Sequence, residues 1–143
     1  MKIIIEMQGE TIRKAASLVM EHYKDPGFLV NLGAIHNFNH TNDTGYELGR
    51  KIYNSDMTMT IKPYSTFSPW SKAIGYASGN TIFVNVRKLD LSLKDRIENL
   101  FHESMHLLGY SHKGNRVNEY NLKTVPYLGA NLFVKYLESI GKI

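Results

Sequence analysis

The segment of residues 92–112 constrains the fold of this chain more strongly than any other part of its sequence. Ser92 followed three residues later by Asp95 is typical of a helix start, because a serine side chain accepts hydrogen bonds from free N–H groups of the first turn. Gly109 marks the helix end, since glycine readily adopts the left-handed conformation found just past helix C-termini. The sequence therefore predicts a long helix that ends at about Gly109.

The two faces of this predicted helix differ in their chemistry. His102 and His106 are four residues apart, so their side chains lie one above the other on the same face. We therefore expect the histidines to face a cleft while the opposite face packs into the core. That opposite face, at about 100° per residue, carries an apolar stripe made of Ile97, Leu100, Phe101, Leu107 and Leu108.

Three histidines of this segment, together with the glutamate that follows the first of them, predict a catalytic zinc site. The bend at Gly109 allows His112 to reach the ion that His102 and His106 bind. Three neutral imidazoles leave a tetrahedral Zn²⁺ with one open position, which is the pattern of catalytic rather than structural sites. Glu103 adjoins a ligand and is placed to accept a proton from a zinc-bound water, whose pKa is about 7. We therefore predict His102, His106 and His112 as metal ligands and Glu103 as the catalytic base.

The rest of the chain predicts an α+β fold with a mixed, twisted β-sheet and helices packed on it. The β-like stretches are residues 2–7, 28–38 (broken at Gly33), 57–61 (ended by Pro63), 73–77 and 81–86. A Gly–Asn turn joins the last two stretches into a hairpin. Helices are expected at 10–23, at 44–53 behind a Thr44–Glu47 capping box, and at 124–140.

Composition places the chain among globular proteins. The hydrophobic fraction of 43% and the charged fraction of 21% are ordinary, and no repeat or long linker divides residues 1–143, so we expect a single domain. The absence of cysteine excludes a disulfide scaffold and a cysteine-ligated zinc. The net charge is +4, and the lysine and arginine residues are scattered along the chain. No signal-peptide core or membrane-length apolar run is present, so we expect a cytoplasmic protein, with non-classical secretion left open.

The string from His102 to His112 resembles the extended zinc signature of the metzincin peptidases, HExxHxxGxxH, at every fixed position. This resemblance implies a metzincin-like or zincin-like catalytic domain in which the three histidines bind Zn²⁺. It further implies a metallopeptidase that hydrolyses peptide bonds through a zinc-bound water activated by Glu103. A peptide or protein substrate is then expected to lie extended along an edge strand at about residues 73–77.

Two positions after the signature bear on this resemblance. Tyr127 lies where some metzincins place a tyrosine that contacts the metal or the tetrahedral intermediate, so we predict it as a second catalytic residue that donates to the oxyanion. Packing at the start of the last helix is the alternative role for Tyr127. Metzincins also carry a methionine beneath the metal, whereas here no methionine follows Met105 and Pro126 stands at the matching place. This departure bears on subfamily membership more than on zinc binding.

The sequence is compatible with two other functions, a zinc ribonuclease and a non-catalytic zinc-binding module. Small bacterial zinc ribonucleases of ribosomal-RNA maturation carry a similar string with Leu-Gly-Tyr between the second and third ligands, as at Leu108, Gly109 and Tyr110. They typically have glycine at the position of Glu103, which favours the peptidase. A ribonuclease predicts a continuous basic cleft, and a peptidase predicts an unpaired edge strand beside the metal. A non-catalytic zinc-binding module predicts zinc binding without any activity that depends on Glu103.

Other polar and aromatic residues have weaker claims to a site. Glu119 is a candidate fourth or alternative metal ligand, but we expect it to be a surface charge or a carboxylate that supports a ligand, because His112 already has the family spacing. His36, His40 and Asp43 could form a second metal site, but a polar loop gives the same pattern. An aromatic loop precedes the expected edge strand and contains Tyr64, Phe67 and Trp70. We expect it to pack in the core or within the loop, with a substrate-pocket wall as the alternative.

Overall fold

A computed structural model describes residues 1–68, 70–88 and 90–143 of the chain. In these residues the architecture is α+β with a mixed sheet, as the sequence predicts, and it comprises five α-helices and four strands. The strands are β1 (Lys2–Ile5), β2 (Thr58–Tyr64), β3 (Gly75–Ser78) and β4 (Thr81–Asn85). The helices are α1 (Glu10–His22), α2 (Pro26–Gly33), α3 (Gly45–Asn54), α4 (Leu93–Leu107) and α5 (Val125–Ser139).

The sheet has the strand order β1-β2-β4-β3. The pairs β1–β2 and β2–β4 are parallel, whereas β3 is antiparallel to β4. Ser78 pairs with Thr81 across a two-residue turn in which Gly79 has a φ of 59°, a left-handed value that glycine adopts without strain. The predicted hairpin and its edge strand are therefore confirmed, with the strand beginning at Gly75 rather than residue 73.

The helix α4 lies at the centre of the fold, packed against α1, α5 and the sheet. Its inner face meets α2 and α5 through an aromatic cluster in which the Phe101 ring lies 5.5 Å from Phe28 and 4.6 Å from Phe133. Ile97, Leu100 and Phe101 are fully buried, as the predicted stripe requires. Leu107 and Leu108 are only half-buried because α4 ends at this point and leaves the core.

Two predictions about the strands are wrong. The stretch 28–38 is not β-like, since residues 26–33 form α2, which begins at a proline and buries Phe28 and Leu32 on one face. Such a short apolar run does not distinguish a strand from a helix, and proline in the first turn favours the helix. Strand β2 also continues through Pro63. On the side of β2 that faces β1, the pairing ends at Ile61. No β1 residue therefore lies opposite Pro63 to accept a hydrogen bond from the N–H group that proline lacks.

The helix ends follow the sequence signals closely. The capping box of α3 is present, with the Thr44 hydroxyl accepting from the Glu47 N–H at 3.3 Å and the Glu47 carboxylate accepting from the Thr44 N–H at 2.7 Å. Pro126 lies in the first turn of α5, and Gly141 follows its end with a φ of 73°. No helix in the described ranges is both long enough and apolar enough to cross a membrane.

Candidate metal centre

The candidate metal centre begins at the C-terminal end of α4. The Ser92 hydroxyl caps the start of this helix by accepting from the Asp95 N–H at 3.1 Å. At the other end, Gly109 takes a φ of 96° and donates its N–H to the His106 carbonyl at 3.0 Å. This left-handed glycine turns the chain sharply, so the residues after it return towards the last turn of the helix.

The three predicted ligands converge at this bend. The Nε2 atom of His102 lies 3.2 Å from Nε2 of His106 and 3.2 Å from Nε2 of His112. Within the described part of the chain, these three residues are the one group of histidine, aspartate and glutamate side chains with ligand atoms close enough for a metal ion. The structure therefore brings together the helical pair and the histidine from beyond the glycine bend.

Backbone carbonyl groups fix which ring nitrogen of two ligands is free. Nδ1 of His106 lies 2.8 Å from the Tyr110 carbonyl oxygen, and Nδ1 of His112 lies 2.6 Å from the Gly114 carbonyl oxygen. A carbonyl oxygen only accepts hydrogen bonds, so each Nδ1 carries the proton and each Nε2 exposes its lone pair in the neutral ring. Metal-binding histidines are normally held by such a bond from the nitrogen that faces away from the ion.

The separation of the Nε2 atoms fits a tetrahedral zinc ion. Two nitrogens bound to Zn²⁺ at about 2.0–2.1 Å and a tetrahedral angle lie roughly 3.3 Å apart. The observed separations of 3.2 Å agree with this value. Nε2 of His102 takes part in both contacts but carries at most one proton, so it can donate in only one of them. A cation between the three nitrogens would stabilise the remaining contact between lone pairs.

The environment of His102 and His106 favours their neutral form, which is the form that binds metals. Burial, with smaller contributions from His106 and His112, lowers the pKa of His102 to about 3. Burial also lowers the pKa of His106. Protons therefore compete weakly with a metal for these two imidazoles at neutral pH.

Glu103 lies on α4 beside the first ligand and is only 7% exposed. Burial raises its pKa to about 7 in the metal-free protein. No side chain or backbone group of the described residues donates a hydrogen bond to its carboxylate. Burial raises the pKa of the Tyr127 hydroxyl, and the nearby charge of Glu103 raises it further. The pKa of Tyr64 is raised first by burial, then by Tyr76 and by Glu103. Glu103 thus belongs to a half-buried group of one carboxyl and two phenols.

Tyr127 lies beside the ligands, in the first turn of α5. The centre of its ring is 4.5 Å from the His102 ring and 5.0 Å from the His112 ring. This is the neighbourhood predicted for it, and its role in catalysis stays a prediction.

A fully buried asparagine holds the loop that carries the third ligand. The Asn121 amide donates to the carbonyl oxygens of Lys113 and Arg116, both at 2.8 Å, and accepts from the Lys113 N–H at 3.0 Å. These bonds fix the backbone on both sides of Gly114, whose carbonyl oxygen binds His112. The loop also lines a partly open cavity of about 560 Å³, formed by Lys113, Gly114, Asn115, Arg116, Asn118 and Tyr120.

The weaker candidates are not part of this centre. Glu119 is exposed and lies outside the histidine group. His36, His40 and Asp43 form no second group among the described residues, because Asp43 is hydrogen-bonded to Lys51 and Tyr110 instead.

The aromatic loop differs from its expected packing. Phe67 and Trp70 are fully or almost fully exposed, so the prediction that these two residues pack in the core or loop is wrong. The reason is that the loop is fixed at its ends rather than by its aromatic rings: the buried Asn85 amide donates to the Thr66 hydroxyl at 3.4 Å and to the Ala73 carbonyl at 2.8 Å. Tyr64, by contrast, packs against Tyr76 on the edge strand with ring centres 5.0 Å apart.

Sequence reasoning missed Asn121, and it named Tyr110 and Asp43 without predicting the contact between them. Asn121 carried no local signal, since an isolated asparagine before a helix usually lies in a loop. Tyr110 followed the predicted helix end directly, which was the single hint that its carbonyl would face the last turn. The partnership of Tyr110 with Asp43 joins distant parts of the chain, and no pattern of short-range spacing contains it.

No family model matches this chain, and neither the curated proteins nor the solved structures compared with it include a significant match.

Proposed function

We propose that this protein is a zinc-dependent metallopeptidase whose ligands are His102, His106 and His112. The observation that carries the proposal is the convergence of three imidazole Nε2 atoms at a tetrahedral spacing, next to a buried carboxyl group. A structural zinc site is normally closed by four protein ligands, whereas this group offers three and leaves one position for water or substrate.

The roles of the surrounding residues follow from their chemistry. A zinc ion bound there supplies a Lewis acid that polarises a carbonyl group and lowers the pKa of water to about 7. The Glu103 carboxylate accepts a proton from the attacking water and delivers it to the leaving amine nitrogen. The Tyr127 ring lies beside two of the ligands. Its hydroxyl donates a hydrogen bond to the oxygen on which negative charge develops.

The edge strand β3 supports a peptide rather than a small-molecule substrate. Among the described strands, β3 pairs only with β4, so its other edge offers free N–H and C=O groups to an extended chain. The strand also lies against α4, since a Cβ atom on Gly75 would come within 3.3 Å of the Asn99 side-chain oxygen. Asn99 is one helical turn before Glu103, so a peptide bound along β3 would lie next to the proposed base.

The proposal is tested by combining metal analysis with a cleavage assay. We expect the wild type to bind one Zn²⁺ per chain and to cleave a peptide library. Glu103→Ala should keep the zinc but lose at least about 100-fold in turnover, because it removes the proton acceptor. Glu119→Gln is the matched control, since it neutralises an exposed carboxylate outside the centre and should leave turnover unchanged. Full turnover in Glu103→Ala would remove Glu103 from its role.

A ribonuclease is the second candidate, and one observation favours it. Lys113 and Arg116 line the cavity next to the third ligand, and neither forms an ion pair with a described residue. Two free cations beside a metal site are suited to phosphate groups. Assaying RNA together with peptides decides between the two functions, and cleavage of RNA without any peptide would overturn the peptidase proposal.

A further inference from the structure

Tyr110 links the metal centre to a distant part of the chain through its side chain. The ring is only 6% exposed, and its hydroxyl donates to the Asp43 carboxylate at 2.6 Å. The same carboxylate oxygen accepts from the Lys51 ammonium at 2.5 Å, and this ammonium lies 5.1 Å from the centre of the Tyr110 ring. Asp43 precedes α3 and Lys51 lies near its end, so the phenol is fixed to a second helix.

The backbone of Tyr110 contacts the metal centre directly. Its carbonyl oxygen accepts from Nδ1 of His106 at 2.8 Å, and its N–H donates to the Met105 carbonyl at 3.1 Å. The residue before it is Gly109, which has no side chain and can adopt many backbone directions. The direction of the Tyr110 carbonyl therefore depends on contacts made by Tyr110 itself, and the bond to Asp43 is the one that its side chain donates.

We propose that Asp43 and Tyr110 are positioning residues for the metal site, and that they act by fixing the tautomer and the ring direction of His106. The Asp43 carboxylate holds the phenol, the phenol holds the backbone after Gly109, and the Tyr110 carbonyl keeps the proton on Nδ1 of His106. Nε2 of His106 is then free to bind Zn²⁺. This inference rests on the metal site of the proposed function but not on peptide cleavage.

The charge state of Asp43 suits this role. Hydrogen bonds from Lys51 and then Tyr110 hold the pKa of Asp43 below its usual value, so the group is an ionised acceptor at neutral pH. A bond from a hydroxyl to an ionised carboxylate is shorter and stronger than a bond between neutral groups. Packing alone would be satisfied by a phenylalanine ring, so the hydroxyl is the atom that separates positioning from burial.

The chain offers a matched control for removing this hydroxyl. Tyr136 on α5 also donates to an aspartate far away in sequence, Asp25, at 2.9 Å, but it takes no part in the histidine group. Tyr110→Phe and Tyr136→Phe therefore remove the same kind of bond, once beside the metal site and once away from it. The measurements are the Zn²⁺ dissociation constant by chelator competition, the visible spectrum of the Co²⁺-loaded protein, and the unfolding of the metal-free protein.

We expect Tyr110→Phe to weaken Zn²⁺ binding about tenfold, which is typical for the loss of a group that orients a ligand, and to change the Co²⁺ spectrum. Tyr136→Phe should unfold more easily but keep the wild-type affinity and spectrum. Asp43→Ala should match Tyr110→Phe, whereas Asp43→Asn keeps an acceptor oxygen and should recover most of the affinity. If Tyr110→Phe does not fold, the two Asp43 variants give the same comparison.

The possible failures are distinct from one another. Wild-type Zn²⁺ affinity and an unchanged Co²⁺ spectrum in both Tyr110→Phe and Asp43→Ala would overturn the positioning role. Equal losses of affinity in Tyr110→Phe and Tyr136→Phe would also overturn it, because general destabilisation would then explain both. A wild type that binds Zn²⁺ without cleaving peptides removes the peptidase and leaves this test intact. A wild type that binds no Zn²⁺ removes both.

Discussion

Two segments of this chain carry side chains that can bind metals at short spacing, and among the described residues only one segment brings them close enough to hold an ion. Residues 36–43 contain His36, His40 and Asp43, and residues 102–112 contain the ligand triad. In the first segment the histidines are exposed on a loop, and His40 has a left-handed φ of 67°. In the second segment a helix fixes two side chains on one face, and backbone carbonyl oxygens orient the rings of His106 and His112.

The difference shows that convergence depends on what holds the backbone rather than on the number of ligands nearby. A helix sets the direction of side chains four residues apart, whereas a loop does so only where its own backbone is hydrogen-bonded. Asp43 illustrates the point, because it belongs to the first segment but accepts a hydrogen bond from Tyr110 in the second. The first segment thus supports the centre of the second instead of forming its own.

Substitutions of Glu103 and Asp43, the acids of the two segments, should differ most clearly in their effect on turnover. Glu103→Gln removes the proton acceptor while it keeps the size of the side chain, so we expect turnover to fall by about 10²–10⁴-fold. Zn²⁺ affinity should stay close to that of the wild type because Glu103 is not a ligand. Asp43→Ala is expected to do the reverse, weakening Zn²⁺ binding while the proposed base is retained. Steady-state kinetics at saturating Zn²⁺ check both variants, and equal behaviour would remove the distinction between them.

The histidines of the two segments should differ in metal binding. His102→Ala removes the nitrogen that lies within 3.2 Å of both other ligands, so we expect Zn²⁺ affinity to fall by more than about 100-fold. His36→Ala, in the exposed loop, should leave the affinity unchanged. Chelator competition measures both. A loss of similar size in His36→Ala would show that the first segment contributes a ligand.

The pH dependence of unfolding should report the buried acid of the second segment. In the metal-free protein the pKa of Glu103 is raised from 4.5 to about 7 by burial. Between these values the folded state holds a proton that the unfolded state has released, so Glu103 stabilises the fold below pH 4.5 and this stability is lost as the pH rises through 7. Glu103→Gln cannot lose a proton, so it should gain about 3 kcal/mol over the wild type across this window.

Urea unfolding with excess chelator at several pH values measures this difference. His102 contributes in the opposite direction, because its pKa is lowered to about 3 by burial and by its two neighbours. The unfolded chain binds a proton at His102 below pH 6.5 that the folded protein excludes, so this contribution to stability is lost as the pH falls. The comparison of Glu103→Gln with the wild type cancels the His102 term. A constant difference between them at all pH values would contradict the raised pKa of Glu103.

The loop after the third ligand should show the smallest effect of the four. Asn121→Ala leaves the carbonyls of Lys113 and Arg116 without their partner, and we expect the free energy of unfolding to fall by about 2 kcal/mol. Zn²⁺ binding should weaken about tenfold, because the Gly114 carbonyl that orients His112 loses its support. Asn115→Ala is the control in the same loop, on an exposed side chain. Unfolding and affinity equal to those of Asn115→Ala would show that the loop holds its shape without Asn121.

The parts of the fold and site that were predictable are those set by local chemistry. The helix from Ser92 to the Gly109 bend and the hairpin turn at Gly79 depend on residues close together in sequence. The convergence of the ligand triad follows from helical spacing and one bend. Short apolar runs failed, because in residues 28–38 the pattern of α2 also suits a strand and only its packing on α5 decides between them.

The support of the site could not be predicted because it comes from distant contacts. The bond between Tyr110 and Asp43 requires α3 to pack beside the end of α4, which depends on the assembled core. The exposure of Phe67 and Trp70 likewise depends on Asn85 holding the ends of their loop. In each case a polar side chain at the end of one element fixes the backbone of another, and the sequence carries no periodic trace of such a bond.

The contact between Tyr110 and Asp43 also has a consequence for biosynthesis. Asp43 leaves the ribosome before any of the three histidines, and chains are made from the N-terminus. Asp43 is therefore already present in the nascent chain when His106, the ligand that it helps to orient, is synthesised. All three predicted ligands follow Asp43 in the sequence, so the complete ligand set exists only after the residues of α1, α2 and α3 have been synthesised.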